Sequence, residues 1–493
     1  MLGKPRPPCA PRGGPSGRRR PARAVGLVAA WALVALGCRG VGRSDDGGRA
    51  GTIDDPGSLE VPGEGSGAVD QPPATQNPGG TGADGDGGSK APSQPSGPTT
   101  PTQPADPTQP TQPTTPTQPN QPTNPTQPTT PPVETHFIGR FADDPQGGRV
   151  FGWPGSAIQA EFIGTGIRIN LEERIGPTMI NWPSQGDTYE VFVDGTGPAL
   201  LELTGGVIQP RSYVLARDLP AGTHTIRIVK RTEMRVGTAR FLGWKVDGDG
   251  QINPSSRAVT RRLLVIGDSI STGYGVLGDG ASCRYSPRTQ SSSRSWGMVA
   301  GAAVGADVQD IAWSGKGVFR NYGDPPGGHG DNTNSSGDTM MTLWQQAVAP
   351  DRGDFVAYRL DTWVPQVVVI NLGTNDFSGS VDARDGFTDR MTALVQDVLG
   401  AYPDAFVALV LGPMLWDDPN GSPARQWAGA SLGRVVDQIL DAKPAANVQV
   451  LDVGALADGD YGCDSHPNIP RQQAMAASLV DYLTKVVGWS RAP

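Results

Sequence analysis

The sequence predicts a jelly-roll-like β-sandwich followed by an α/β domain with a central parallel sheet, and three observations carry that reading. Short runs that alternate apolar and polar residues fill 135–252. From Arg257 onward, continuous apolar runs alternate with helical stretches. Pro, 47 of the 493 residues, falls mainly in the first third, where Gly, 68 in all, is also dense, which sets that part off from the two folding regions.

Residues 1–38 read as a leader. Arg18-Arg19-Arg20 precedes an apolar run from Ala24 to Gly37, too short for the roughly 20 residues of a spanning helix, and basic-then-apolar order marks an export signal. Val34-Ala35-Leu36-Gly37 before Cys38 resembles a bacterial lipobox, with Ala35 where leucine is usual. That resemblance implies a lipidated Cys38 and a membrane anchor; simple cleavage and secretion is the alternative. The expectation is an exported protein, either a bacterial cell-surface or periplasmic lipoprotein or a secreted one. The leader is long enough to leave room for a start downstream of Met1. A net charge of -8 provides no basic field for phosphate backbones, so nucleic acid is excluded as a partner.

Residues 39–134 have almost no apolar periodicity, and runs such as Thr114-Thr115-Pro116-Thr117-Gln118-Pro119 recur. Such a stretch buries too little apolar surface to offset its ordering entropy, so a disordered linker or stalk is expected, extended where Pro-rich. In 135–252, the runs 157–162, 166–171, 189–193 and 223–229 alternate with a period of two. They predict half-buried strands separated by turns at Asp194-Gly195 and Pro220-Ala221-Gly222. Evenly spaced strands without helices suggest a jelly-roll type of sandwich. In 257–493, Leu263-Leu264-Val265-Ile266 and the runs 367–370 and 406–411 are continuously apolar, and 448–451 is apolar but for Gln449. Strands of that kind between helices belong to a parallel sheet covered on both faces, with functional groups at the strands' carboxyl ends.

Four segments carry chemistry. Gly267-Asp268-Ser269 directly follows the first apolar strand, exposing a serine at the sheet edge. Alone it is a weak signal that an ordinary turn also satisfies. Asn371-Leu372-Gly373-Thr374-Asn375-Asp376 ends another strand; its asparagine can present an amide to a developing oxyanion, or the pair can close an Asx turn. In Trp313-Ser314-Gly315-Lys316-Gly317 a glycine allows close backbone approach, without the spacing of a phosphate-binding loop. Of the four histidines (His136, His224, His329 and His466), only His466 follows the last strand and precedes a helical stretch, within Cys463-Asp464-Ser465-His466-Pro467-Asn468.

In this order the four segments resemble the blocks of the SGNH, or GDSL-type, hydrolases. A jelly-roll module ahead of Leu-Leu-Val-Ile-Gly-Asp-Ser narrows the resemblance to family 2 carbohydrate esterases, over roughly 135–490. The resemblance implies Ser269 as nucleophile and His466 as general base, with an oxyanion site from the N–H groups of Ser269 and Gly315 and the amide of Asn375. It implies deacetylation of acetylated polysaccharide, xylan or glucomannan, without metal or cofactor. The family's acid usually stands three residues before the histidine, where this chain has Cys463. Asp464, two residues before, orients the imidazole if the backbone there is extended; otherwise a main-chain carbonyl does so, leaving a Ser–His dyad. Beside this resemblance, Cys283 and Cys463 are expected to pair as a disulfide in an oxidising compartment. Tyr274, Trp313, Trp344 and Trp416 lie near strand ends, as sugar-stacking candidates or core residues. Another esterase or lipase acting on lipids or envelope glycans, or a non-catalytic carbohydrate-binding lipoprotein, is the alternative function. The sequence carries no signal for oligomeric state.

Overall fold

The computed structural model describes residues 133–175, 185–203, 209–327, 338–349, 356–419 and 421–492. The leader with Cys38, the linker up to 132 and His329 lie outside the described residues.

The described chain begins with the strands β1 (His136–Ile138), β2 (Ala142–Asp143), β3 (Arg149–Phe151), β4 (Ala157–Gly164), β5 (Ile167–Ile175), β6 (Thr188–Val193), β7 (Thr196–Glu202), β8 (Pro210–Ala216), β9 (Gly222–Lys230), β10 (Gly237–Val246) and β11 (Gln251–Asn253). They form two antiparallel sheets, ordered β1-β4-β9-β6-β7, with β11 also on β4, and β2-β3-β10-β5-β8. The alternation read from the sequence has a direct cause. Ile158, Ala160 and Phe162 of β4, Ile226 and Ile228 of β9, and Ile167, Ile169 and Leu171 of β5 all point into one buried layer between the sheets. Val133 pairs with Ser255, on either side of the sandwich strands.

The second region contains β12 (Arg262–Gly267), α1 (Ser269–Thr272), α2 (Trp296–Ala303), β13 (Asp307–Ala312), α3 (Met340–Leu343), β14 (Gln346–Val348), β15 (Val356–Ala357), β16 (Val367–Asn371), α4 (Arg384–Ala401), β17 (Phe406–Leu411), α5 (Ala424–Ala442), β18 (Asn447–Asp452) and α6 (Ile469–Lys485). Five of its strands form a parallel sheet ordered β13-β12-β16-β17-β18. Leu264 and Ile266 pack with Phe387, Met391 and Leu432 of α4 and α5. Leu263 and Val265 pack with Trp296, Met475 and Leu479 of α2 and α6. Both faces of every central strand are therefore covered, which is why the runs read as continuously apolar. β13 escaped the sequence reading because Asp307, Gln309 and Asp310 interrupt it, yet all six residues are buried.

The two regions share a core. Trp153 and Met234, from the sandwich, belong to the same apolar cluster as Trp313 and Trp344. Arg140, fully buried, donates through Nε to Gln309 Oε1 at 2.9 Å and through Nη1 to the Gln346 carbonyl at 3.1 Å. Ser292 donates its N–H to the Arg231 carbonyl at 2.9 Å and its hydroxyl to the Lys230 carbonyl at 2.7 Å. The contacts of Ser292 and of Met234 hold the β9–β10 loop, residues 231–236, against the second region.

Lys230, at the start of that loop, is fully buried, with its Nζ 2.6 Å from Asp187 Oδ1. Removing one partner of such a pair leaves an uncompensated buried charge, at a cost of about 3–5 kcal/mol. Asp187→Ala is therefore expected to lower unfolding stability by about that amount in urea titrations, and a loss below ~1 kcal/mol would show that the pair does not hold the loop.

Candidate active site

The strand order reverses at β12, whose neighbours β13 and β16 lie on opposite sides. A crevice at such a switch point gathers whatever follows the three strands. Ser269 follows β12, Ser314 and Gly315 follow β13, and Thr374 and Asn375 follow β16; all line one cavity of about 680 Å³, together with His466.

Ser269 opens α1, and the Asp268 side chain caps it by accepting from the Ile270 N–H at 3.0 Å. The turn ends at Gly273, with φ +71°, where an added Cβ would lie 2.2 Å from the Ser291 carbonyl oxygen. Only glycine fits there. His466 Nε2 stands 2.8 Å from Ser269 Oγ.

His466 Nδ1 lies 2.9 Å from the main-chain carbonyl of Asp464. A carbonyl only accepts, so Nδ1 carries the proton and Nε2 presents its lone pair to the serine hydroxyl. The Asp464 carboxylate does not contact the imidazole. It accepts from Tyr274 Oη and the Tyr285 N–H, each at 3.0 Å, and from Arg284 Nη1 at 3.3 Å. This corrects the expectation that Asp464 orients His466 through its side chain. That expectation assumed extended backbone, but Asp464 (φ +49°, ψ +41°) and Ser465 (φ +59°) are left-handed, so the carboxylate swings away while the carbonyl turns toward the ring.

The turn is tied on both sides. Cys463 is disulfide-bonded to Cys283, the Cys463 N–H donates to the Gly275 carbonyl at 2.9 Å, and the Asp464 N–H donates to the Cys283 carbonyl at 2.7 Å. Tyr274 stacks on Tyr285 with centroids 4.0 Å apart, and its ring lies 4.3 Å from the His466 ring. Desolvation by this packing lowers the His466 pKa to about 4, although the bond to the Asp464 carbonyl and the Asp464 charge oppose the shift.

Gly315, with φ +82°, accepts at its carbonyl from the Tyr322 N–H at 2.8 Å. Asn375 Nδ2 donates to the Lys316 carbonyl at 2.7 Å, which uses one of the two amide hydrogens. Asp376 is structural: its carboxylate accepts from the N–H groups of Val318, Phe319 and Arg320, fastening the segment after β13 to the end of β16.

Two residues missed by the sequence reading reach the site from the β9–β10 loop. Arg235 lines the cavity, and Glu233 bonds Ser314. Their only signal was a charge run, Lys230-Arg231-Thr232-Glu233-Met234-Arg235, directly after an apolar strand. Of the aromatic candidates, Trp313 and Trp344 are core residues, 5% and 0% exposed, whereas Trp416 is 66% exposed on the cavity wall. Tyr322, 70% exposed, joins it there. His136 and His224 stand in the sandwich, bonded to Ser255 and Asp194. Among the described residues no cluster of three His, Cys, Asp or Glu side chains is arranged to hold a metal.

A base with its pKa lowered is protonated, and lost, only as pH falls through the lowered value. The acid limb of kcat/KM for an ester substrate is expected near pH 4, whereas a limb at the ordinary value of about 6.5 would contradict the desolvated imidazole.

Comparison with known proteins gives two family-model matches: carbohydrate esterase 2 N-terminal over residues 137–255, and GDSL-like lipase/acylhydrolase over residues 263–479. The cellulase/esterase CelE of Acetivibrio thermocellus is 30% identical over 72% of this chain, which spans 39% of that protein's length. An acetylxylan esterase/glucomannan deacetylase of Cellvibrio japonicus is 27% identical, over 72% of this chain and 92% of its own. Among solved structures, a family two carbohydrate esterase from Clostridium thermocellum in complex with cellohexaose matches with a TM-score of 0.63 at 27% identity, covering 72% of this chain and all of that one.

Proposed function

We propose that this chain, which carries the carbohydrate esterase 2 N-terminal and GDSL-like lipase/acylhydrolase regions, is a carboxylic ester hydrolase that removes O-acetyl groups from xylan or glucomannan through a Ser269–His466 dyad. The observation that carries this reading is the 2.8 Å contact between Ser269 Oγ and His466 Nε2, with Nδ1 held by a main-chain carbonyl.

Ser269 Oγ attacks the acetyl carbonyl carbon as its proton passes to His466 Nε2. The resulting oxyanion is stabilised by the N–H groups of Ser269 and Gly315 and by the second amide hydrogen of Asn375. Collapse breaks the bond to the sugar oxygen, which leaves with the proton from Nε2, and the acetyl group stays on Ser269. A water then repeats the cycle: His466 takes its proton, its oxygen attacks the acyl carbon, and acetate leaves as Ser269 recovers its hydrogen.

The exposed rings of Trp416 and Tyr322 on the cavity wall support a sugar polymer as substrate, since pyranose faces stack on aromatic surfaces. We read the sandwich as a jelly roll, from its two facing antiparallel sheets. The basic-then-apolar leader ending at Cys38 supports export, with lipidation of that cysteine as the membrane anchor.

Acetate release from acetylated xylan and glucomannan is the test. Ser269→Ala is expected to abolish it, and Asn375→Ala to lower kcat by about 10²–10³-fold. Hydrolysis of short aryl esters without polymer deacetylation would discard the substrate and keep the esterase. No hydrolysis of any ester would favour a binding protein.

A further inference from the structure

Glu233 belongs to the sandwich, yet its carboxylate serves the other region. Oε2 accepts from the Ser314 N–H at 2.7 Å, and Oε1 accepts from the Ser314 hydroxyl. The side chain is fully buried. The loop that presents it is fixed independently of the site: Lys230 Nζ donates to the Thr232 carbonyl at 2.9 Å and to the Glu233 carbonyl at 3.3 Å. On the other side, Arg231 Nη2 donates to the Gln290 carbonyl at 3.1 Å.

What Glu233 grips is the segment on which the oxyanion site depends. The Trp313 N–H donates to the Gly267 carbonyl and the Lys316 N–H to the Trp313 carbonyl, each at 3.2 Å, while the Ser314 N–H is taken by Glu233. The remaining backbone donor of this turn is Gly315, the one assigned above to the oxyanion. Ser314 is the residue immediately before it, so the plane of the peptide that carries the Gly315 N–H is set partly by the grip on Ser314. The Lys316 carbonyl, two peptides further, receives the Asn375 amide, so both non-serine donors hang on the same turn.

We propose that Glu233 is a positioning residue for the oxyanion site, supplied by the sandwich to hold the Ser314–Gly315 peptide in register with Ser269. The proposal rests on the esterase reading. It assigns the sandwich a part in the acyl-transfer step itself, through geometry rather than through contact with substrate. A carboxylate suits the task because its two oxygens accept from two donors on one residue, which fixes direction as well as distance. Burial pushes this carboxyl up, and the Arg235 charge and the two bonds from Ser314 oppose that shift.

A crossed pair of variants of the full chain, assayed on 4-nitrophenyl acetate, separates positioning from charge and from simple structure. Glu233→Asp keeps the charge but withdraws the carboxylate by one methylene. Glu233→Gln gives up the charge but keeps the reach, with its oxygen accepting from the Ser314 N–H and its amide donating to the Ser314 hydroxyl. The expected result is a kcat lowered about 10–100-fold in Glu233→Asp, with KM within about threefold and kcat in Glu233→Gln within about fivefold of wild type. Phosphonylation of Ser269 by an aryl phosphonate, whose phosphoryl oxygen occupies the oxyanion position, is expected to slow in parallel with kcat. Rates are taken per active site titrated, so partial unfolding does not enter. The reverse order, Gln slow and Asp fast, overturns the proposal, and so does kcat at wild-type level in both variants. If Glu233→Asp does not fold, a kcat loss beyond about tenfold in Glu233→Gln overturns it and a smaller one supports it. Absence of ester hydrolysis by the wild type overturns the esterase reading and this inference with it.

Discussion

The hydrogen bond from His466 Nδ1 to the Asp464 carbonyl is the constraint on which the rest of the site depends. It fixes the tautomer, and the tautomer decides whether Nε2 can take a proton from Ser269 at 2.8 Å. A carboxylate in that place would add charge stabilisation to the imidazolium; a carbonyl supplies orientation and a weaker dipole. The chain makes the carbonyl available by forcing two consecutive non-glycine residues, Asp464 and Ser465, into left-handed conformations. Each such residue costs of order 1–3 kcal/mol and persists only where its surroundings over-determine it. Here they do: the Cys283–Cys463 bond, two backbone bonds from Cys463 and Asp464, and the Asp464 carboxylate bound by Tyr274 and Tyr285 all hold the same turn. The carboxylate thus still serves His466, by holding the turn that presents the carbonyl.

The same logic explains why the sandwich and the parallel sheet share a core instead of being joined by a flexible connection. Orientation of an oxyanion donor must be held within a fraction of an ångström, and the segment after β13 is too short and glycine-rich to hold itself. It is braced from β16 by Asp376 and Asn375, and from the sandwich by Glu233. The buried Lys230–Asp187 pair and Arg140 make the sandwich side of that brace stiff, at a desolvation cost that hydrogen bonds offset.

Much of the fold was legible because burial writes itself into periodicity. The alternating runs 157–162 and 223–229 lie in β4 and β9, and the continuous runs 263–266 and 406–411 lie in β12 and β17. β13 was not legible, since polar residues interrupt its apolar run, and the partners of two of them are distant in sequence: Arg140 and Tyr358 for Gln309, and Arg257 for Asp307. Ser269 stood out because it follows a buried strand at the sheet's carboxyl edge, and His466 because it comes after the last strand, the partly exposed edge strand β18, and before a helix. Glu233 and Arg235 did not, because the loop that delivers them belongs to another region and no local spacing records where it packs. The direction of the Asp464 side chain was hidden for a different reason: it turns on two backbone angles set by the disulfide and by Gly275 and Cys283, more than 170 residues away.

The most direct test of a carbonyl-oriented dyad is kcat of Asp464→Asn on an aryl acetate, since asparagine leaves the main-chain carbonyl in place and can still accept from the Tyr285 N–H. A kcat within about tenfold of wild type is the result expected if the carbonyl sets the tautomer. A fall of about 10⁴-fold, the size seen when a triad aspartate becomes asparagine, would contradict it and assign the orienting role to the carboxylate.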